Sequence, residues 1–566
     1  MVQPYPGSPV APVSETAGVI RIVLVRRGDD VEVREPAGAL VVPAADLPAF
    51  VAGREAGPDP VRWVWDDTTR WYPALLAAGV RVARCTDLRL CHAILRRSPS
   101  IDQGLLAAAD RRGWDALQPV TVVDPGLFPL EDPADRLDPP AEHDRQQAAL
   151  AASPDRGRLA LLLAAESSGA LVAAEMTHTG LPWRADVHDR LLAELLGPRP
   201  LAGQRPVVLE RLAAELRTAL GAPGLNPDSP ADLLRALRGA GLPVPDTRSW
   251  TLEQIDHPAM PPLLEYRKLA RLLTANGWAW LDVWVRGGRF RSFFVPGGVV
   301  TGRWASNGGG ALSMPTQVRP AAIADEGWRF VVADVAQLEP RVLAAMSRDT
   351  AMAGAARGTD LYQGIVAAGV VATRAEAKVG MLGALYGATR GESGRMMPRL
   401  TQRYPRAIGL VEEAARAGER GEVVHTLLGR GSPVPGAAWS DGPADLGEAP
   451  DDEDGGSRQD RDRQRRSWGR FTRNFVVQGT AAEWALCWLA DLRNRLWELG
   501  AGELHERPHL VFFLHDEVVV HTPEHLVGQV GEAVRQAAAA AGRLLFGDFP
   551  IDFPLDVAVV RSWADA

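Results

Sequence analysis

The sequence predicts a multidomain protein that mixes α/β and α+β folds, on three observations. The chain has 566 residues, room for three or four domains at about 150 residues each. From Val19 to about Arg97, strand-like runs alternate with helix-like ones. From Leu159 the pattern turns to long amphipathic helices, and beyond Phe290 to a mixture of both. Hydrophobic residues make up 46% and charged residues 23%, as in ordinary globular proteins, which excludes a wholly disordered chain. Cys85, Cys91 and Cys487 are too few for a disulfide framework. No uninterrupted apolar run reaches about 18 residues, so no transmembrane helix and no membrane partner are expected. Met1–Ala17 lacks the basic start and apolar core of a signal peptide, and a cytoplasmic location is the default.

Residues 1–18 are rich in Pro and Ser and are expected to be flexible. Val19–Val25 alternates like a strand, and Trp71–Ala78 and Asp87–Leu95 read as helices. A Pro- and Asp-rich stretch from about Asp124 to Asp144 reads as a linker. Glu210–Leu220 and Leu263–Thr274 read as amphipathic helices. Residues 436–466, acids first and arginines after, read as an exposed, poorly ordered insertion. Its acids, from Asp441 to Asp454, carry most of the net charge of -8, so net charge decides nothing about a nucleic-acid partner. Of 62 basic residues only Lys268 and Lys378 are lysine, so each marks a position to inspect.

Three segments carry chemistry. In Arg329–Ser347 an apolar strand, Phe330–Ala333, ends at Asp334, and a helix follows that accepts Pro340 in its first turn. A carboxylate at the end of a buried strand is costly unless it holds a metal or a hydrogen-bond network; a turn or cap is the plainer alternative. In Leu510–His521 two apolar strands flank His515-Asp516-Glu517, where a surface hairpin would use Gly or Asn. Adjacent carboxylates favour a nearby cation, though a solvated turn stays open. In Arg374–Gly387 the residues Arg374, Lys378, Leu382 and Tyr386 recur every four positions, near one face of a helix that Gly387 can end. Such a strip suits a triphosphate and a base; a solvated face with a buried Tyr is the alternative.

In their order along the chain, these segments resemble motifs A, B and C of family A DNA polymerases, the bacterial polymerase I type. Thr301-Gly302-Arg303 resembles the family's Thr-Gly-Arg. Arg470-x3-Asn474-x3-Gln478-Gly479-Thr480-Ala481-Ala482 resembles the helix before motif C. Leu225–Pro230 and Glu265–Arg271 resemble its thumb, and Pro554–Ala564 its C-terminus. Trp71–Leu95 is similar to part of the linked 3′–5′ exonuclease domain. However, Ile20–Arg26 has no acid and no Tyr-x3-Asp precedes the thumb, so that domain reads as degenerate.

The resemblance implies a right-hand polymerase behind an RNase H-like, exonuclease-type domain. It divides the chain into a flexible start at 1–18, the exonuclease-like domain at 19–150, a thumb at 155–300, a palm at 301–350 and 474–566, and fingers at 351–473. It implies template-directed addition of dNTPs to a primer 3′-OH on primer–template DNA, by a monomer, without proofreading, in repair or gap filling. Two Mg²⁺ ions would be held by Asp334 and Asp516, supported by Glu517, with Lys378 as proton donor to pyrophosphate. Arg374, Lys378, Leu382, Tyr386, His515, Glu339 and Gln337 would bind the nucleotide, with Glu339 as steric gate against a ribose 2′-OH. Arg303, Arg470, Asn474 and Gln478 would contact DNA. The chain departs from the family at Leu382, where an aromatic is usual, and at Ala336, Pro340 and Asn276. Alternatives are a catalytically silent DNA-binding relative, a single-subunit RNA polymerase, and a bifunctional polymerase and 3′–5′ exonuclease.

Overall fold

The computed structural model describes residues 18–107, 111–116, 137–201, 203–242, 244–358, 360–387, 391–435 and 458–566. The expected flexible start, to residue 17, lies outside them, as do 124–136 of the expected linker and 436–457 of the expected insertion. The chain forms two compact units. One holds the described residues up to Thr179 with Phe293–Asn307 and Val331–Val559; the other holds Gly180–Ser292, Gly308–Phe330 and Val560–Ala566.

The first unit opens with a five-stranded sheet. Gly38–Pro43, Asp30–Glu35 and Ile20–Arg27 pair antiparallel, and Val61–Trp65 and Cys85–Asp87 extend the sheet in parallel. Parallel neighbours need crossovers, which helices Leu47–Glu55 and Thr68–Ala77 supply. Ile22, Leu24, Trp63, Trp65, Trp71 and Tyr72 form its buried core. The expected linker is corrected here, because helix Pro139–Ala152 begins within it. Prolines and an Asp that suit a linker also suit a helix start: Asp138 accepts the N–H of Ala141 at 3.1 Å, and Pro139 needs no N–H partner.

Helix Arg156–Thr179 belongs to this unit, and the border between the two compact units falls at Gly180. Among the described residues it is the one helix long and apolar enough to cross a membrane. However, 78% of its most apolar window is buried inside the protein. Glu166 and Glu175 break the apolar run in sequence, and both are buried. The single Nε–H of Arg493 is shared between the two Glu175 oxygens, at 3.0 and 2.9 Å, and Nη2 donates to the same carboxylate at 2.6 Å. Tyr72 O–H donates to the same carboxylate at 2.6 Å. Burial would raise the Glu175 carboxyl, but Arg493 and Arg81 outweigh it and hold it below the ordinary range. Three helices, Thr68–Ala77, Arg156–Thr179 and Arg458–Glu498, are thus pinned at one carboxylate.

A four-stranded sheet follows, ordered His509–Leu514, Glu517–Pro523, Trp328–Val335, Leu555–Val560. Phe330–Ala333 and Val518–Val520 are buried, as strands covered on both faces must be. Behind it, helix Leu338–Met346 carries a fully buried Arg341, whose guanidinium donates to the carbonyls of Ala336, Ala356, Asp552 and Gly358 at 2.6–3.2 Å. Helix Arg458–Glu498 runs 41 residues. It corrects the expected insertion, because Arg458–Arg466 are its first turns. It also crosses the expected border between fingers and palm at 473.

The second unit holds a small sheet of Leu181–Pro182, Arg289–Phe290 and Val285–Arg286, with helices Val207–Ala219, Pro230–Gly239 and Met260–Asn276. Its centre is aromatic. His188 packs among Trp183 and Trp280, receives the Trp183 N–H at 3.2 Å and donates to the Asn276 carbonyl at 2.9 Å. Burial pushes its pKa down to about 4, so it is neutral at physiological pH.

Removing one partner of a buried ion pair leaves the other charge uncompensated, so Glu175→Gln should cost about 3–5 kcal/mol at neutral pH, read from urea unfolding. Because the folded carboxyl is depressed, its contribution is present above the unfolded value and lost as pH falls through the folded one. The deficit of the variant should therefore shrink below about pH 4.

Candidate active site

Two acids lie side by side because two strands do. The N–H of Val335, one residue past Asp334, donates to the carbonyl of Asp516 at 3.1 Å. The hairpin turn between His509–Leu514 and Glu517–Pro523 is only His515-Asp516, and Glu517 already pairs with Leu514 in the ladder. His515 therefore takes φ +58°, and Gln337 takes φ +50° where helix Leu338–Met346 begins. Among the described residues only one other non-glycine, Arg348, has a positive φ. Left-handed backbone at residues with side chains is uncommon and needs support from its surroundings. At Gln337 that support includes its own side chain, which accepts the N–H of Leu361 at 3.1 Å.

The electrostatics follow from this placement. Burial, then Asp516, Glu517 and Asp556, push the Asp334 carboxyl up to about 7. Burial also raises Asp516, to about 6, against the pull of Arg303. Among the described residues no three His, Cys, Asp or Glu side chains gather at one point. The centre is a pair of half-buried carboxylates, with Glu517 and Asp556 acting on it as further negative charges. Sequence reasoning missed Asp556, which is separated from Asp334 by most of the C-terminal half and sits on the neighbouring strand.

Beside the pair, a chain of contacts joins four segments. Arg303 pairs with Glu339, Tyr386 O–H donates to the other oxygen of Glu339 at 3.1 Å, and Gln478 donates to Tyr386 at 3.4 Å. Tyr386 ends helix Arg374–Tyr386, which Gly387 closes in left-handed conformation. Thr373 and Glu376 cap its start reciprocally, a signal legible in Thr-x-x-Glu but passed over. On its exposed face Arg374 is held by Asp360 at 2.6 Å, and Lys378 has no ion-pair partner among the described residues. Leu382 and Tyr386 are exposed as well.

On helix Arg458–Glu498, Arg470 is exposed and its stem packs on Gly387, while Asn474 and Gln478 are half-buried. The neighbouring Arg473, which sequence reasoning also missed, is buried. It pairs with Glu412 of helix Pro405–Glu419 and donates to the Ala384 carbonyl of helix Arg374–Tyr386 at 2.8 Å, fixing three helices together. The structure thus brings Arg303, Glu339, Tyr386 and Gln478 into one network and Asp334 and Asp516 into another. Lys378, Leu382, Arg470 and Asn474 are not hydrogen-bonded to either.

The acids of the N-terminal sheet are spent on local structure. Asp66 accepts from Arg70 and the Trp71 indole at 2.5 Å, Asp67 from Arg89 at 2.7 Å, and Asp87 from the N–H of Thr68 at 2.7 Å and Leu90 at 2.9 Å.

A family model described as DNA polymerase family A matches residues 207–565. A thermostable DNA polymerase I from Thermus filiformis is 29% identical over 344 residues, 55% of this chain and 37% of that protein. A DNA polymerase I from Chloroflexus aurantiacus is 26% identical over 60% of this chain and 36% of that one. The chain therefore spans little more than a third of the length of the curated relatives it matches. A solved structure described as the POL domain of Pol1 from M. smegmatis, in complex with DNA primer-template and dNTP, superposes with a TM-score of 0.67 at 19% identity. It covers 97% of this chain and 95% of that one. At that identity the likeness shows the fold alone, and it extends over the N-terminal region as well.

The raised pKa of Asp334 has a stability consequence. The folded state binds this proton more tightly than the unfolded state, so stability falls as pH rises from about 4 to 7. In metal-free buffer near pH 8, Asp334→Asn should melt higher than the parent, and the gain should vanish below about pH 4. Added divalent cation should raise the melting temperature of the parent more than that of the variant.

Proposed function

The chain belongs to DNA polymerase family A, and we propose that it is a template-directed DNA polymerase that adds dNTPs to a primer 3′-OH. The observation that carries this reading is the Val335–Asp516 backbone pairing, which brings the charge of Asp516 to bear on Asp334 and, through Arg303 and Glu339, ties the pair to the Arg303–Glu339–Tyr386–Gln478 network. Two carboxylates raised by burial, Asp334 further by the charge of Asp516, want positive charge beside them, and hard oxygen donors suit Mg²⁺. Asp334 and Asp516 would hold the ions, with Glu517 in support. Bound there, divalent cations supply activation of the attacking hydroxyl and charge compensation on the phosphates.

The residues of the chain do the rest. Lys378 and Arg374, on the exposed face of helix Arg374–Tyr386, neutralise the triphosphate, and the Lys378 ammonium delivers a proton to departing pyrophosphate. Leu382 gives the base or sugar an apolar contact, with Tyr386 at the templating end. His515 and Gln337 flank the two acids. Glu339, fixed from both sides by Arg303 and Tyr386, is a rigid wall and suits a gate against a 2′-OH. Arg470, Asn474 and Gln478 project from one helix at four-residue spacing and face the duplex near the primer end. Contacts to minor-groove acceptors of this kind test base-pair shape without reading sequence.

Proofreading is not part of the proposal. The strand Ile20–Arg27 carries no acid, and Asp66, Asp67 and Asp87 are engaged by arginines, an indole and backbone N–H groups. A role in repair or gap filling fits an enzyme of this kind.

Asp334→Ala or Asp516→Ala should abolish primer extension with Mg²⁺ while duplex binding persists, measured by single-turnover extension and by fluorescence anisotropy. Extension by either variant would remove both residues from the metal-holding role.

Glu339→Ala should raise ribonucleotide incorporation relative to deoxyribonucleotide, on the order of tenfold or more. Glu339→Gln, which keeps the bulk and the Tyr386 bond but loses the charge that pairs with Arg303, should fall between Glu339→Ala and the parent. Equal discrimination in Glu339→Ala and the parent, with activity retained, would end the gate assignment.

A further inference from the structure

A second cluster of charges lies within the first unit, behind the Thr301-Gly302-Arg303 turn. Arg430 donates to Glu166 at 2.5 Å, and both side chains are buried. The loop bearing Arg430 is itself clamped: Glu483 of helix Arg458–Glu498 accepts from the Thr426 hydroxyl and, at 3.0 Å, from the N–H of Leu428. Thr480 of the same helix accepts the N–H of Leu427 at 3.1 Å.

The turn rests on this cluster through glycines. The turn is closed by Gly302 N–H to the Val299 carbonyl at 2.8 Å and Val299 N–H to the Arg303 carbonyl at 3.1 Å. Gly302 has φ +86°, and a Cβ there would lie 2.6 Å from Arg430 Nε. Gly297, φ +61°, lies against Glu166 in the same way, and Gly479 lies between Thr426 and the Thr301 carbonyl. The planar guanidinium therefore lies directly against the turn, at an approach that leaves no room for a side chain at Gly302. Arg303 leaves the turn directly above it to reach Glu339, and its charge also acts on Asp516.

We propose that Arg430, fixed by Glu166 and by the Glu483-clamped loop, is a positioning residue for the polymerase reaction: it seats the Val299–Arg303 turn and so sets where Arg303 meets Glu339. This rests on the polymerase reading above and names part of the machinery of that site. Arg430 touches no substrate and acts through Arg303. An ammonium in its place keeps the charge but not the plane. Small displacements of a positioning group cost far more in turnover than in binding.

The experiment compares Arg430→Lys and the milder Glu166→Gln with the parent, each alone and in an Arg303→Ala background. Correct folding is checked by circular dichroism. Arg430→Lys should lower single-turnover dNTP incorporation roughly ten- to a hundred-fold with apparent dNTP affinity less affected, and should loosen ribonucleotide discrimination. Glu166→Gln should move both in the same direction by less. In the Arg303→Ala background neither change should reduce incorporation further, because the residue they position is gone. Additive losses in that background, or parental kinetics in both single variants, would overturn the proposal. If Arg430→Lys fails to fold, Glu166→Gln carries the same test alone. Absence of extension by the parent would sink the polymerase reading and leave only the seating of the Val299–Arg303 turn by Arg430 to be tested. Hydrogen exchange at the Gly302 and Arg303 amides then decides: faster exchange in the variants supports the seat, and unchanged exchange overturns it.

Discussion

Asp334 and Asp516 are held near one another by strand pairing although the charge of Asp516 disfavours ionisation of Asp334. Their raised pKa values express the cost, set mainly by burial and then by mutual repulsion at Asp334. Strand pairing supplies the constraint: apolar strands with buried side chains cannot slide by one residue without turning their core faces outward. The two uncommon backbone conformations at Gln337 and His515 mark where strand meets turn on either side of the pair. Arg303 stands near enough to offset part of the repulsion, and it is the residue whose seat is most elaborately built.

Arginine is used throughout as an internal clamp. Arg341 ties four backbone carbonyls, Arg473 joins three helices, Arg493 draws three helices to Glu175, and Arg430 lies against a turn. A planar fork with five donors can satisfy several acceptors at fixed angles, which an ammonium cannot. In a chain with two lysines this usage is partly compositional, yet the buried examples depend on the geometry of the group. Lys378, exposed on a helix face, is where a compact charge that can give up a proton is consistent with the chemistry proposed.

Much of this was legible in the sequence, and the rest fails for identifiable reasons. Asp334 could be read because an apolar strand ends on it. Helix Arg374–Tyr386 could be read because its four-residue spacing and terminal Gly387 are local signals. Asp556, Asp360 and the Glu166–Arg430 pair could not, because each works through a partner brought close only by folding. Local composition misleads at Pro139–Ala152, where the residues of a helix start read as linker. It misleads again at Arg458–Arg466, where a charged run reads as disordered although it is the beginning of a helix. Arg156–Thr179 hid its apolar length because two of its buried positions are glutamates.

The helix Arg458–Glu498 is about 60 Å of continuous rod at 1.5 Å per residue. It carries Arg470, Asn474 and Gln478 toward the site, Glu483 toward the loop that bears Arg430, and Arg493 toward the N-terminal sheet. Each residue added or lost inside it would turn everything beyond by about 100° relative to everything before. Between Arg470 and Arg493 the rod therefore behaves as a ruler whose divisions cannot be changed singly. An insertion or deletion that leaves the bearing of these five residues intact would have to fall in the connections at either end, so their spacing stands or fails as a single unit.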